Sequence, residues 1–125
     1  MILLAGALFA LTACGQKLDA NAVLMCRMTL PAINAPDADI RITRINAGAG
    51  EREIRIDYTV VVERGAQRRR FVICGFNAVP RSTIEPDLAS LVTETGPVSG
   101  ASVHLMKRFW LRTPEAFEAD PGQRS

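Results

Sequence analysis

Three cysteines, one histidine and a dense run of arginines carry most of the reactive or ion-binding capacity of this 125-residue chain. Cys14, Cys26 and Cys74 are far apart, whereas catalytic dithiols usually form a close Cys-X-X-Cys at a helix start, where the thiolate is stabilised. Cys26 and Cys74 therefore read as a structural bridge or as two independently buried thiols. His104 stands alone, and a hydrolase needs its histidine beside an activated nucleophile and an orienting acid. Ser99 and Ser102 are near it in sequence, but their Gly-Ala-Ser setting reads as the start of a helix. No catalytic residue is assigned and no enzymatic activity is expected. No metal is expected either, because two isolated cysteines and one distant histidine lack zinc-ligand spacing. Arg68, Arg69 and Arg70, with Arg64, form a candidate contact for anionic lipid or glycan. The competing reading is a solvated hairpin tip whose charges protect a sheet edge. With no glycine-rich phosphate loop, paired catalytic carboxylates or aromatic-basic RNA motif, no cofactor, nucleic acid or small-molecule substrate is expected.

The elements that must position these groups begin with an uncharged apolar run, Ile2 to Leu11, followed by Thr12, Ala13 and Cys14. Spanning a bilayer takes about 20 apolar residues, and polar Gln16, Lys17 and Asp19 come almost at once. The run therefore reads as the apolar region of a cleavable signal peptide. Leu11-Thr12-Ala13-Cys14 resembles the lipobox of bacterial lipoproteins: an aliphatic residue, two small ones, then the cysteine that receives diacylglycerol and becomes the mature N-terminus. The resemblance covers the first fourteen residues only. It departs in one respect, since Lys or Arg normally opens a signal peptide and none precedes Cys14, so a start upstream of Met1 stays open.

The resemblance implies an acylated Cys14, a membrane-anchored domain facing the periplasm, and an oxidising compartment in which Cys26 and Cys74 are left as an even pair to form a disulfide. Each buried methylene adds about 0.8 kcal/mol of membrane affinity, so two or three chains anchor a protein without a spanning helix. Enteric lipoproteins kept at the inner membrane carry aspartate after the modified cysteine; here Gly15 stands there, which leans toward the outer membrane.

Lys and Arg total 15 against 13 Asp and Glu, too small a surplus to imply a polyanionic partner by itself. Residues 1–13 are assigned to the signal, 14–18 to a linker, 19–118 to one domain and 119–125 to a flexible tail. A helix is predicted over Lys17 to Leu30, capped by Asp19 and ended by Pro31. Ile40 and Ile42 alternate with polar residues until the pattern slips at Arg44-Ile45, predicting a short or bulged strand. Ile54, Ile56, Tyr58, Val60 and Val62 recur at strand period, and Arg68 to Phe76 reads as the return strand. A two-residue Gly65-Ala66 loop would set Glu63 opposite Arg68, Val60 opposite Phe71 and Tyr58 opposite Ile73. That register separates Cys74 from the Tyr58 face, which Arg69 then shares, and puts Arg68 and Arg70 on the other. Asp87 to Thr95 is predicted as a helix with Leu88, Leu91 and Val92 on one side. A second helix follows from Ser99, its stripe Val103, Met106 and Trp110 flanked by Leu105 and Phe109. That stripe reads as core or, with Lys107 and Arg108, as an element lying on a bilayer. Thr113-Pro114-Glu115 opens a last turn.

The expected fold is α+β: a small antiparallel sheet packed with a disulfide-tied N-terminal helix and one or two C-terminal helices. The expected function is a non-enzymatic cell-envelope lipoprotein, an accessory or scaffold subunit that meets an envelope protein partner at the membrane surface. The alternatives are a module binding anionic lipid or glycan through the arginine-rich hairpin, and a non-lipidated periplasmic domain.

Overall fold

The computed structural model describes residues 18–61 and 65–123. Helix α1 (Ala20–Ile33) precedes strands β1 (Asp39–Ala47), β2 (Glu53–Val61), β3 (Gln67–Asn77), β4 (Asp87–Thr93) and the short β5 (Gly96–Pro97), followed by α2 (Gly100–Phe109) and α3 (Pro114–Glu118). The strands form one antiparallel sheet in chain order, β1-β2-β3-β4-β5. The fold is α+β, as the sequence predicts.

Local chemistry accounts for the helix starts. Asp19 accepts from the Asn21 and Ala22 amides, Ser99 from the Ser102 amide and Thr113 from the Ala116 amide, each satisfying donors that the first turn leaves unpaired. Pro31 does not end α1, which continues to Ile33. A proline there removes a single amide donor, and burial of Met25, Cys26 and Leu30 holds the helix through it. Asn34 then caps the end, its Nδ2 donating to the Leu30 carbonyl at 2.8 Å.

Strand β2 alternates as its sequence demands, with Ile54, Ile56, Tyr58 and Val60 all buried. β1 runs nine residues and is bulged between Ile42 and Arg44, where the sequence pattern slips. The hairpin register departs from expectation: Val60 faces Arg68 rather than Phe71, and Tyr58 faces Arg70 rather than Ile73. The strands end at Val61 and Gln67, so their connection is longer than the two residues assumed. The resulting slip of three residues is odd, and an odd slip exchanges the faces of a strand. Val72 and Cys74 thereby join Ile54, Ile56, Tyr58 and Val60 in one core.

Asp87–Thr93 is a strand and not the expected helix. Cys74 pairs with Leu91 and Gly75 with Ser90, but Phe76 pairs with Leu88. Ala89 is thus the extra residue of a bulge, and the bulge sets Leu88 and Leu91 three apart on one face. That interval imitates a helical stripe.

All the helices contribute to the core on this face: Met25, Cys26, Met28 and Leu30 of α1, Val103 and Met106 of α2, Ala116 of α3, and Leu111 between the last two. Trp110 joins α2 to α1, its Nε1–H donating to the Met28 carbonyl at 2.7 Å. On the opposite face Arg55 lies over the Phe71 ring at 4.3 Å and pairs with Asp57 at 3.1 Å, so its aliphatic stem shields the apolar middle of the sheet.

Residues 119–123, expected to fray, instead close against α1. Asp120 is almost fully buried and accepts from Arg27 through two nitrogens, Nε at 3.0 Å and Nη2 at 2.9 Å, with the Gly122 amide also donating to it at 2.8 Å. Such a bidentate, charge-assisted pair anchors a chain end far better than one apolar contact.

Candidate functional site

Cys14 lies outside the described residues. Cys26 and Cys74 are joined by a disulfide, with Cα atoms 5.9 Å apart and a separation of 48 positions in sequence. Both are fully buried. The bridge fastens α1 to β3. Burial and engagement of both sulfurs leave no thiolate for redox chemistry at the surface.

The arginine run is not brought together. Arg68 and Arg70 share the Tyr58 side of the hairpin, and Arg69 points to the other, the reverse of the assignment made from a two-residue loop. Arg70 is half-buried and already committed: it pairs with Glu94 and donates to the Asn34 side-chain oxygen at 2.7 Å. Asn34 in turn donates to the Tyr58 hydroxyl at 3.1 Å. This polar chain ties the end of α1 to β2, β3 and the β4–β5 turn. Burial pushes the Tyr58 phenol up, only partly offset by the Asn34 bond and the nearby Arg70 charge. For Glu94, burial acts upward, but bonds from its own backbone amide, from Arg70 and from the Phe71 amide outweigh it and hold the carboxyl below its usual range. The network is structural, and the expected three-arginine anion site reduces to Arg68 and Arg69 on opposite faces.

His104 is exposed on α2. Ser99 Oγ lies 2.9 Å from Ser102 Oγ and accepts from the Ser102 amide, so both hydroxyls serve the helix start. Among the described residues no group of three or more His, Cys, Asp or Glu side chains converges as metal ligands, and no helix is long and apolar enough to cross a membrane.

Two surfaces stand out among the described residues. The first is the outside of α2, where Leu105 is 54% and Phe109 65% exposed. One turn apart, these side chains form a continuous apolar ridge, with Arg108 against the Phe109 ring at 5.6 Å. The sequence stripe splits accordingly, Met106 inward and Leu105 and Phe109 outward. Phe117 of α3 adds a second exposed aromatic side chain at 51%.

The second is a groove of about 680 Å³ at the end of the sheet where α1 begins. Leu18, the β1–β2 turn and the 78–86 loop enclose it. In the turn, Gly50 N–H donates to Glu53 Oε2 at 2.9 Å and Gly48 N–H to the Glu53 carbonyl at 2.9 Å, while Arg52 takes a left-handed φ of 54°. In the loop, Thr83 N–H donates to the Pro80 carbonyl at 2.9 Å, and the turn so closed leaves Ile84 80% exposed. Loop composition carries no signal for which side chains gather at one end of a domain, so the sequence does not mark Val79 and Ile84 as members of this groove.

No family model, curated protein or solved structure matches this chain. Any functional conclusion therefore rests on the residues and their geometry.

Proposed function

We propose that the chain is a non-enzymatic envelope lipoprotein, held by an acylated Cys14 on a membrane surface facing the periplasm, where it serves as an accessory or scaffold subunit. The observation that carries this reading is the order of the chain's parts: the lipobox-like Leu11-Thr12-Ala13-Cys14 stands immediately before a small domain closed by a disulfide. A disulfide is at home outside the cytoplasm, and a cysteine so close to the domain edge suits an anchor better than a core. The protein partner is assigned to the α2 ridge, Leu105 and Phe109, since aromatic and aliphatic side chains left in water are the usual anchors of protein contacts. Gly15 after the modified cysteine favours the outer membrane.

Intact-mass measurement of the protein from the membrane fraction, before and after reduction, tests the proposal. The expected result is an N-terminus at Cys14 carrying acyl chains, and a mass gain of two hydrogens on reduction. A cytosolic chain that retains Met1 and three free thiols refutes it.

A further inference from the structure

We infer that the groove end of the domain rests on the same bilayer that holds Cys14, with Ile84 and Val79 inserted among the lipids. The inference deepens the lipoprotein reading and rests on it.

The tether sets the geometry. Cys14 precedes Leu18 by four residues, and a fully extended chain covers at most about 3.6 Å per residue. Leu18 therefore cannot stand farther than about 14 Å from the acylated residue. This is a short leash, because Leu18 is itself part of the groove wall and α1 starts two residues later. Whatever surface surrounds Leu18 is held close to the headgroups for as long as the anchor is inserted.

That surface has the composition a bilayer asks for. Ile84 is the most exposed large apolar side chain among the described residues, and Val79 of the same loop is 38% exposed. The loop is fastened to the anchor-proximal helix: Asn21 Nδ2, in the first turn of α1, lies 3.5 Å from the Ile84 carbonyl. Isolated exposed aliphatics are ordinary on a protein surface; two on one braced loop, beside the point where a lipid tether enters, are not scattered. Arg81 is exposed on the loop, placed to meet lipid phosphates.

Of the acidic groups at this end, two lie against arginines and two are held by backbone amides. Glu51 lies 3.7 Å from Arg52 and Glu85 3.2 Å from Arg112. Glu53 accepts the Gly50 amide, and Asp19 caps α1.

Tryptophan depth measurement on the full lipidated protein decides the matter. Ile84→Trp and, separately, Leu105→Trp are purified from membranes and reconstituted in phosphatidylethanolamine/phosphatidylglycerol vesicles containing brominated acyl chains. The wild type, with Trp110 alone, is the blank, and a cooperative thermal transition followed by far-ultraviolet circular dichroism confirms that each variant is folded. The expected result is several-fold stronger quenching for Ile84→Trp than for Leu105→Trp, with a blue-shifted emission; Val79→Trp should behave like Ile84→Trp. Equal and weak quenching at positions 84 and 79, in protein whose Cys14 carries its acyl mass, overturns the seating and leaves the anchor standing. That outcome would make the groove end a surface for another protein. Absence of the acyl mass overturns the anchor and the seating together.

Discussion

Opening the Cys26–Cys74 bridge releases a constraint that spans 48 positions of the chain. On the chain-entropy argument, closing a loop of that length in the unfolded state is worth about 4 kcal/mol. Folded domains have only about 5–15 kcal/mol of net stability, so the bridge supplies a large fraction of what this domain possesses. With a urea dependence of about 2 kcal/mol per molar, the loss moves the unfolding midpoint down by about 2 M. Residual structure in the reduced chain trims this, which makes about 1–2 M the working expectation. Cys26→Ala/Cys74→Ala sits at the lower midpoint too, since it adds a small packing loss to the same entropy change. The assay is urea unfolding followed by far-ultraviolet circular dichroism, on oxidised, reduced and doubly substituted protein. Both sulfurs are fully buried, so reductant should act on the native protein only as fast as the domain opens, and far faster in urea. A reduced protein that unfolds within about 0.3 M of the oxidised one refutes the argument that covalent closure holds α1 on the sheet.

Asp120→Asn should cost about 2–3 kcal/mol, below the range for breaking fully buried pairs because Arg27 keeps a quarter of its side chain in water; thermal unfolding checks it, and an unchanged midpoint would mean that the C-terminal turn contributes nothing. The carboxyls of Asp87, lowered by the Lys107 and then the Asn77 bonds, and of Glu94, lowered on balance by its bonds, both titrate below their ordinary values. A depressed folded value gives stability that is present above the unfolded value and lost as pH falls through the folded one. Urea midpoints measured from about pH 6 down to about pH 2 should therefore decline, and Glu94→Gln should start lower and decline less steeply. Asp87 adds little, being well exposed. Leu105→Ser/Phe109→Ser should change stability by no more than about 0.5 kcal/mol per site yet abolish crosslinking to the envelope partner proposed for that ridge; retained crosslinks would clear the α2 ridge of that role.

How much was legible beforehand follows from the range of the forces involved. The caps at Asp19, Ser99 and Thr113, the β2 alternation and the β1 bulge rest on contacts within a few residues, and they stand where the pattern puts them. The inward half of the α2 stripe was readable for the same reason. Of the candidate site, only the cysteine pair and the α2 stripe were visible, and the groove end was not, because Leu18, Val79 and Ile84 meet there through the sheet and not through sequence spacing.

The amino-acid order by itself determined the α+β class, the principal strand and the starts of α1, α2 and α3. Only tertiary structure decided the hairpin register, because the burial of Val72 and Cys74 with Ile54 and Tyr58 outweighs a turn preference worth far less. It also decided that Leu88 and Leu91 belong to a bulged strand, that α1 runs through Pro31, and that Asp120 turns back to Arg27. In each case a contact between residues distant in the chain overrides the local signal, since the area and charge it removes from water exceed what neighbouring residues can enforce on one another.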